Sequence, residues 1–235
     1  MSQPADGMSV RVTVDGPYLV SGAVPLYRDR ITVDENGESV GWERVDQIEV
    51  GPRYALCRCG KSQIKPLCDG SHVAAGFDGT ESAGHHSFAE VAVSIDGSGA
   101  VLRDAHRLCA EARFCARGEK LWHLIERCDD PAARALAIEE AELCPSGRYV
   151  LCEADGKTER EPELEPSIVA IEDPHMGVSG PLFVRGGIQV YDADGTPYER
   201  RNRVTLCRCG ASANKPFCDG THLEAGLKDE SAPLG

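Results

Sequence analysis

The chain has 235 residues, 6% of them aromatic, with 25 glycines and 14 prolines. This favours small loop-rich modules stapled by metal over one large apolar core. Its formal charge of −13 argues against a nucleic-acid surface and suits either simple solubility or a small acidic electron carrier. No apolar run reaches the roughly 18 residues of a membrane span, and the start, MSQPADGMSV, has neither the basic nor the apolar part of an export signal. The expectation is therefore a cytoplasmic protein, in which eleven cysteines read as metal ligands rather than disulfides.

The first predicted elements are strands. Gly16-Pro-Tyr-Leu-Val-Ser-Gly-Ala-Val-Pro-Leu26 opens a stretch of alternating apolar residues broken by the turn at Glu35-Asn36-Gly37, a β pattern. It leads to Cys57-Arg-Cys-Gly-Lys-Ser-Gln-Ile-Lys-Pro-Leu-Cys68-Asp-Gly-Ser-His72. From about Ser87 the pattern changes. Val91–Ile95 and Ala100–Leu102 flank Asp96-Gly97-Ser98-Gly99, a hairpin signal. Leu121–Cys128 and the segment after Asp130 and Pro131 read as helices, the second ending at Cys144-Pro145-Ser146-Gly147. Residues 155–166 are acidic and carry two prolines, the composition of a linker.

The strand pattern then returns. Gly180-Pro-Leu-Phe-Val-Arg-Gly-Gly-Ile-Gln-Val190 aligns with the stretch from Gly16, and Cys207-Arg-Cys-Gly-Ala-Ser-Ala-Asn-Lys-Pro-Phe-Cys218-Asp-Gly-Thr-His222 matches the first motif at eleven of sixteen positions. The two halves read as a duplication. Each motif keeps three cysteines and one histidine in the order C-x-C-x8-C-x3-H, a soft-donor set that points to metal. Asp69 and Asp219 are placed to accept backbone N–H groups, Gly70 and Gly220 to let the backbone turn close to the site, and Pro66 and Pro216 to stiffen the approach. Zinc is the competing occupant of a Cys3His set, although zinc knuckles favour C-x2-C spacing.

This spacing resembles the CDGSH iron-sulfur family. The resemblance implies a 2Fe-2S cluster in each half, with Cys57 and Cys59 on the inner iron and Cys68 and His72 on the outer one. Cys207, Cys209, Cys218 and His222 match position for position. It also implies that strands exchanged between two protomers build a shared β cap, so one duplicated chain would form an internal pseudo-dimer; two separate beads are the alternative. A histidine ligand raises the reduction potential relative to a fourth thiolate and is lost on protonation. The implied clusters are thus expected to be acid-labile, which a pH titration of the visible cluster band from pH 8 to 5.5 checks.

Cys109-Ala-Glu-Ala-Arg-Phe-Cys115, with the distant Cys144-Pro145, resembles a mono-cluster ferredoxin run in which Ala112 replaces the middle cysteine. Cys109, Cys115 and Cys144 are the expected ligands, of a 3Fe-4S cluster, or of a 4Fe-4S cluster if Cys128 or Cys152 adds a fourth. Both of those also read as small buried residues. His85, His86, His106, His123 and His175 read as structural or exposed. The basic run Arg200–Arg203 reads as a solvated strand face.

The resulting expectation is an α+β protein. Residues 8–84 form a first CDGSH-type half, 85–154 a small ferredoxin-like cluster domain, 155–166 a linker and 167–229 the second half. No catalytic residue or substrate motif is present, so the reading is electron transfer with a reductase or oxidase as partner. The alternatives are a cluster carrier or iron sensor serving apo-proteins, and a zinc-stabilised scaffold. The oligomeric state stays open.

Overall fold

The computed structural model describes Ala5 and residues 7–230. In chain order the strands are β1 (Ser9–Val12), β2 (Tyr18–Ser21), β3 (Leu26–Val33), β4 (Ser39–Ile48), β5 (Arg53–Leu56), β6 (Val93–Asp96), β7 (Ala100–Asp104), β8 (Tyr149–Glu153), β9 (Glu159–Arg160), β10 (Ser167–Asp173), β11 (Val178–Arg185), β12 (Gln189–Tyr191) and β13 (Arg203–Leu206). Four short helices accompany them: α1 (Ser71–Ala74), α2 (Phe88–Val91), α3 (Leu121–Ile125) and α4 (Pro131–Leu143). The molecule is strand-rich, in keeping with β-rich modules.

Three sheets result. The first has the order β12-β1-β2-β5, the second β13-β11-β10-β3-β4 and the third β6-β7-β8-β9. The first two mix the halves. β12, from the second half, pairs in parallel with β1 (Val10 opposite Val190), and β3, from the first, pairs in parallel with β10 (Ala170 opposite Arg28). Each sheet thus takes three neighbouring strands from one half and at least one from the other. Their facing sides share one core, in which Val10, Tyr18, Val20 and Leu56 meet Ile168, Leu182, Val184 and Leu206. β10 and β11 are buried along almost their whole length, because both faces are covered, and each carries a short apolar run, Ile168–Ile171 and Leu182–Val184.

The other face of the second sheet carries Ile31, Val169, Ile171 and Phe183, which pack against Ala112 and Phe114 of the central segment. That segment has its own core. Leu102, Tyr149 and Leu151 of its sheet lie under Leu121, Leu124 and Ile125 of α3 and Ala133, Ala137 and Ala141 of α4. α4 begins as its residues dictate. Pro131 takes the first position, where its missing N–H costs nothing, and the Asp130 side chain accepts the N–H of Ala132.

Local differences from the sequence reading have physical causes. Val91 ends α2 rather than starting a strand, because Ser87 and Glu90 form a capping box. The expected linker carries β9, which pairs with β8, and Glu161, which accepts hydrogen bonds from Asn202 and Arg203. The basic run is not a solvated face throughout. Arg203 is 2% exposed and donates to the carbonyls of Ala141, Glu142, Cys144 and Tyr149, capping the C-terminus of α4. No helix among the described residues is long and apolar enough to cross a membrane.

Candidate metal centres

Each Cys-His motif is a loop that leaves a strand and folds back on it. Cys57 N–H donates to the Pro66 carbonyl at 2.8 Å and Cys68 N–H to Ala55 at 2.9 Å; Cys207 to Pro216 and Cys218 to Thr205 repeat these bonds at 2.8 and 2.9 Å. The Ser62 and Ser212 hydroxyls donate to the Leu67 and Phe217 carbonyls, both at 2.7 Å. Asp69 bridges the loop, accepting Gln63 N–H at 2.8 Å and Ser71 N–H at 2.9 Å, and Asp219 does the same with Ala213 and Thr221. The bond from Gln63 N–H, the largest cause, holds the Asp69 carboxyl well below the usual range. These aspartates are loop braces rather than ligands.

The donors are brought together as pairs. Cys57 and Cys59 Sγ stand 3.8 Å apart, and Cys207 and Cys209 Sγ 3.7 Å. The Cys68 and Cys218 sulfurs each lie 3.5 Å from Nδ1 of His72 and His222. Two thiolates on one tetrahedral ion with bonds of about 2.3 Å stand about 3.8 Å apart, and a thiolate and an imidazole nitrogen about 3.5 Å. Every pair therefore has the bite of a two-point clamp on one metal. Three or more such side chains do not close on a single ion anywhere among the described residues. In each motif the donors stand as two separate two-point clamps.

Backbone amides face the sulfurs: Lys61 N–H and Gly70 N–H lie 3.4 Å from Cys59 and Cys68 Sγ, and Ala211 and Gly220 N–H 3.5 Å from Cys209 and Cys218 Sγ. Burial pushes the Cys59 thiol up to about 11 and raises Cys218 further, so a bound cation is what would hold them as thiolates. Cys207 is held down at about 6 by the bond from Cys209. Burial first, and then Arg208, push His222 down to about 4, leaving it neutral and able to ligate.

In the central segment, Cys109, Cys115 and Cys144 line one small cavity. Cys128 and Cys152 do not line it. Cys128 lies in the core under α3 with its sulfur on the Leu124 carbonyl, and Cys152 packs with Phe88 and Val150 on the other side of the sheet. Glu111 does line it and accepts from Cys109 Sγ at 3.2 Å. Nothing in the sequence marked Glu111 beyond its place between two cysteines. Arg148, paired with Asp104 at 2.6 Å, brings positive charge to the same wall. Of the remaining histidines, His85 stacks on Tyr198 at 4.3 Å and meets Asp192 at 3.0 Å.

The three centres are neighbours. A β-carbon at Gly60 would lie 2.8 Å from the Cys209 carbonyl oxygen, and one at Gly210 would lie 3.0 Å from that of Cys59, so the two motif loops touch reciprocally at glycine. Tyr18, from the first half, donates to the Cys207 and Pro216 carbonyls of the second at 2.8 and 3.0 Å. On the far side of the second motif a β-carbon at Gly220 would run into Glu111.

Comparison with known proteins agrees with this arrangement. The family model "Iron-binding zinc finger CDGSH type" matches residues 15–73 and 179–223, and "Divergent 4Fe-4S mono-cluster" matches residues 95–154. No curated protein and no solved structure matches the chain. Two Cys3His loops with the bite of metal clamps, flanking a cavity ringed by three cysteines, make this chain a CDGSH-type iron-sulfur protein with a central divergent mono-cluster domain.

Proposed function

We propose that the protein transfers electrons through two Cys3His 2Fe-2S clusters and one 3Fe-4S or 4Fe-4S cluster, and that it is not itself an enzyme. The observation that carries this reading is the paired bite of the donors, 3.7–3.8 Å between thiols and 3.5 Å between thiol and imidazole, in loops that touch one another. When bound, such clusters supply one-electron chemistry. The chain's own part is to hold Cys57, Cys59, Cys68 and His72, and Cys207, Cys209, Cys218 and His222, in fixed pairs. It directs amide N–H groups at their sulfurs and buries Cys57, Cys207 and Cys218 away from water. Cys109, Cys115 and Cys144 would hold the third cluster, with Glu111 as the nearby carboxylate.

The two halves act as an internal pseudo-dimer in this reading. The reciprocal strand pairing of β12 with β1 and β3 with β10 supports it, as does the reciprocal glycine contact. The partner would be a redox protein rather than a nucleic acid or a membrane.

Iron, acid-labile sulfide and EPR on protein purified without oxygen test the proposal. Seven or eight irons per chain with reversible reduction is the expected result. Zinc without sulfide would overturn it. A second reading, delivery of clusters to apo-proteins, is favoured by one observation: Cys68 and His72 are partly exposed, unlike Cys218 and His222. Transfer to an apo-ferredoxin faster than free iron and sulfide can rebuild it would favour delivery.

A further inference from the structure

The two paired sites are built so alike that their surroundings can be compared position by position. Arg58 and Arg208 hold the same place, between the first two cysteines of each motif, and both are 1% exposed. Around Arg208 the charge is answered. Its Nη2 donates to Glu172 Oε1 at 2.9 Å, and its Nη1 lies 3.3 Å from Asp229 Oδ2. The Gly180 and Ile171 carbonyls accept from it at 2.9 and 2.8 Å. Arg28 shares those two carboxylates at 4.0 and 3.5 Å and has Asp46 at 2.8 Å.

Around Arg58 no carboxylate comes within ion-pair distance among the described residues, and the exposed Asp78 acts on it only from further off. Nη2 donates to the Gly79 carbonyl at 2.6 Å, while Nε and Nη1 have no hydrogen-bond partner among the described residues. The rings of Phe77 and Tyr18 flank its Cζ at 5.2 and 5.6 Å. The sequence gives the reason. Seven residues beyond the motif histidine the second half has Asp229, whereas the first half has Gly79. The backbone N–H of each is held alike, Asp229 by Ser179 Oγ and Gly79 by Asp15 Oδ1, both at 2.8 Å. Asp15 accepts from the Gly79 amide and makes no close ion pair with the guanidinium.

The sites also differ in cover. Cys218 and His222 are 2% and 3% exposed, with Glu111 against Gly220 and Asn214 Nδ2 donating to the Arg107 carbonyl of the central segment at 3.2 Å. On the first motif the corresponding face is open, and Ile64 and Val73 stand 52% and 76% exposed around it.

We infer that electrons pass between the two paired sites in one direction, from the second to the first. The first site is the higher in potential and the point of exit, and the charge of Arg58, which has no close carboxylate among the described residues, sets that order. The inference rests on the electron-transfer reading. Reduction adds one negative charge to a site, and a buried cation near it without a close carboxylate favours the reduced form. The answered Arg208 has no such surplus. Greater contact with water pushes the first site the same way, while the matched N–H···S bonds cancel in the comparison. The electron balance closes with two partners: a one-electron donor protein reduces the second site, that site passes the electron to the first, and an external one-electron acceptor protein removes it.

The test is a redox titration of the intact protein, followed by EPR, in native, Arg58→Gln and Arg58→Lys forms. Native protein should show two 2Fe-2S steps. Arg58→Gln should lower the upper step by about tenfold in the reduced-to-oxidised ratio, which is 59 mV for one electron, and leave the lower step in place. Arg58→Lys should restore it. Arg58→Met, which removes the charge but keeps a long side chain, should also lower the upper step, and it serves if Arg58→Gln does not fold. Movement of the lower step alone, no movement, or equal falls in the Gln and Lys forms would overturn the inference and leave electron transfer standing. Loss of the clusters on reduction of the native protein would overturn the electron-transfer reading itself.

Discussion

A thiol taken out of water resists ionisation, so where the buried cysteines sit decides what they can do. Burial pushes Cys109 up to about 11 and also raises Cys115, Cys128 and Cys152, yet only the first two line the central cavity. Cys128→Ala and Cys152→Ala should therefore leave iron and sulfide unchanged, whereas Cys109→Ala, Cys115→Ala or Cys144→Ala should remove the third cluster and spare the paired sites. Unequal iron loss in the Cys128→Ala protein would restore that residue as a ligand. The donor pairs of the two motifs were legible because a chelating pair needs short, fixed spacing along the chain. Glu111 was not. Its place by the cavity depends on a left-handed backbone at φ 52°, which the sequence gives no reason to expect for a glutamate.

At the scale of elements, α4 is held from both ends, by Asp130 at its start and by Arg203 of β13 at its finish. Arg203→Met should cost about 3–5 kcal/mol, the range for breaking a buried charged pair, and should loosen Cys144, whose carbonyl it holds at 2.9 Å. Chemical denaturation with EPR should show the third cluster lost before the paired ones; simultaneous loss would count against a local role. Glu140, on the same helix, is fully buried, its two carboxyl oxygens have no hydrogen-bond partner among the described residues, and burial pushes it up to about 8. Between its ordinary value of 4.5 and about 8 the folded form binds the proton that the unfolded form has released, so stability falls as pH rises through that window. The loss should be on the order of 3 kcal/mol by pH 8. Glu140→Gln should flatten it, as thermal melts at pH 5.5 and 8 would show. The start of α4 could be read from Asp130-Pro131, since a cap is local. Its finish could not, because the residue that caps it lies 59 positions from Cys144.

In the whole molecule, neither half completes a sheet alone. β1, β2 and β5 need β12, and β10, β11 and β13 need β3. A chain cut at the exposed turn around Gly156 should therefore stay together on gel filtration and keep its clusters. Two separating fragments, each with its own 2Fe-2S absorption, would instead favour independent beads. The interleaving also explains why β10 and β11 are covered on both faces, by the shared core on one side and by Ala112 and Phe114 of the central segment on the other.

By itself the sequence determined what repeats and what is local: two Cys3His loops, a third group of cysteines between them, and the strands, turns and helix cap that nearest-neighbour chemistry specifies. Tertiary structure decided what depends on residues far apart in the chain. It passed strands between the halves, turned Arg203 from an apparent surface residue into a buried cap, and left Cys128 and Cys152 away from the cavity. It also gave Arg208 two close carboxylates while leaving Arg58 without one among the described residues. Donor spacing is written along the backbone, whereas charge compensation and burial belong to the packed molecule, so only the fold could distinguish two motifs that read almost the same.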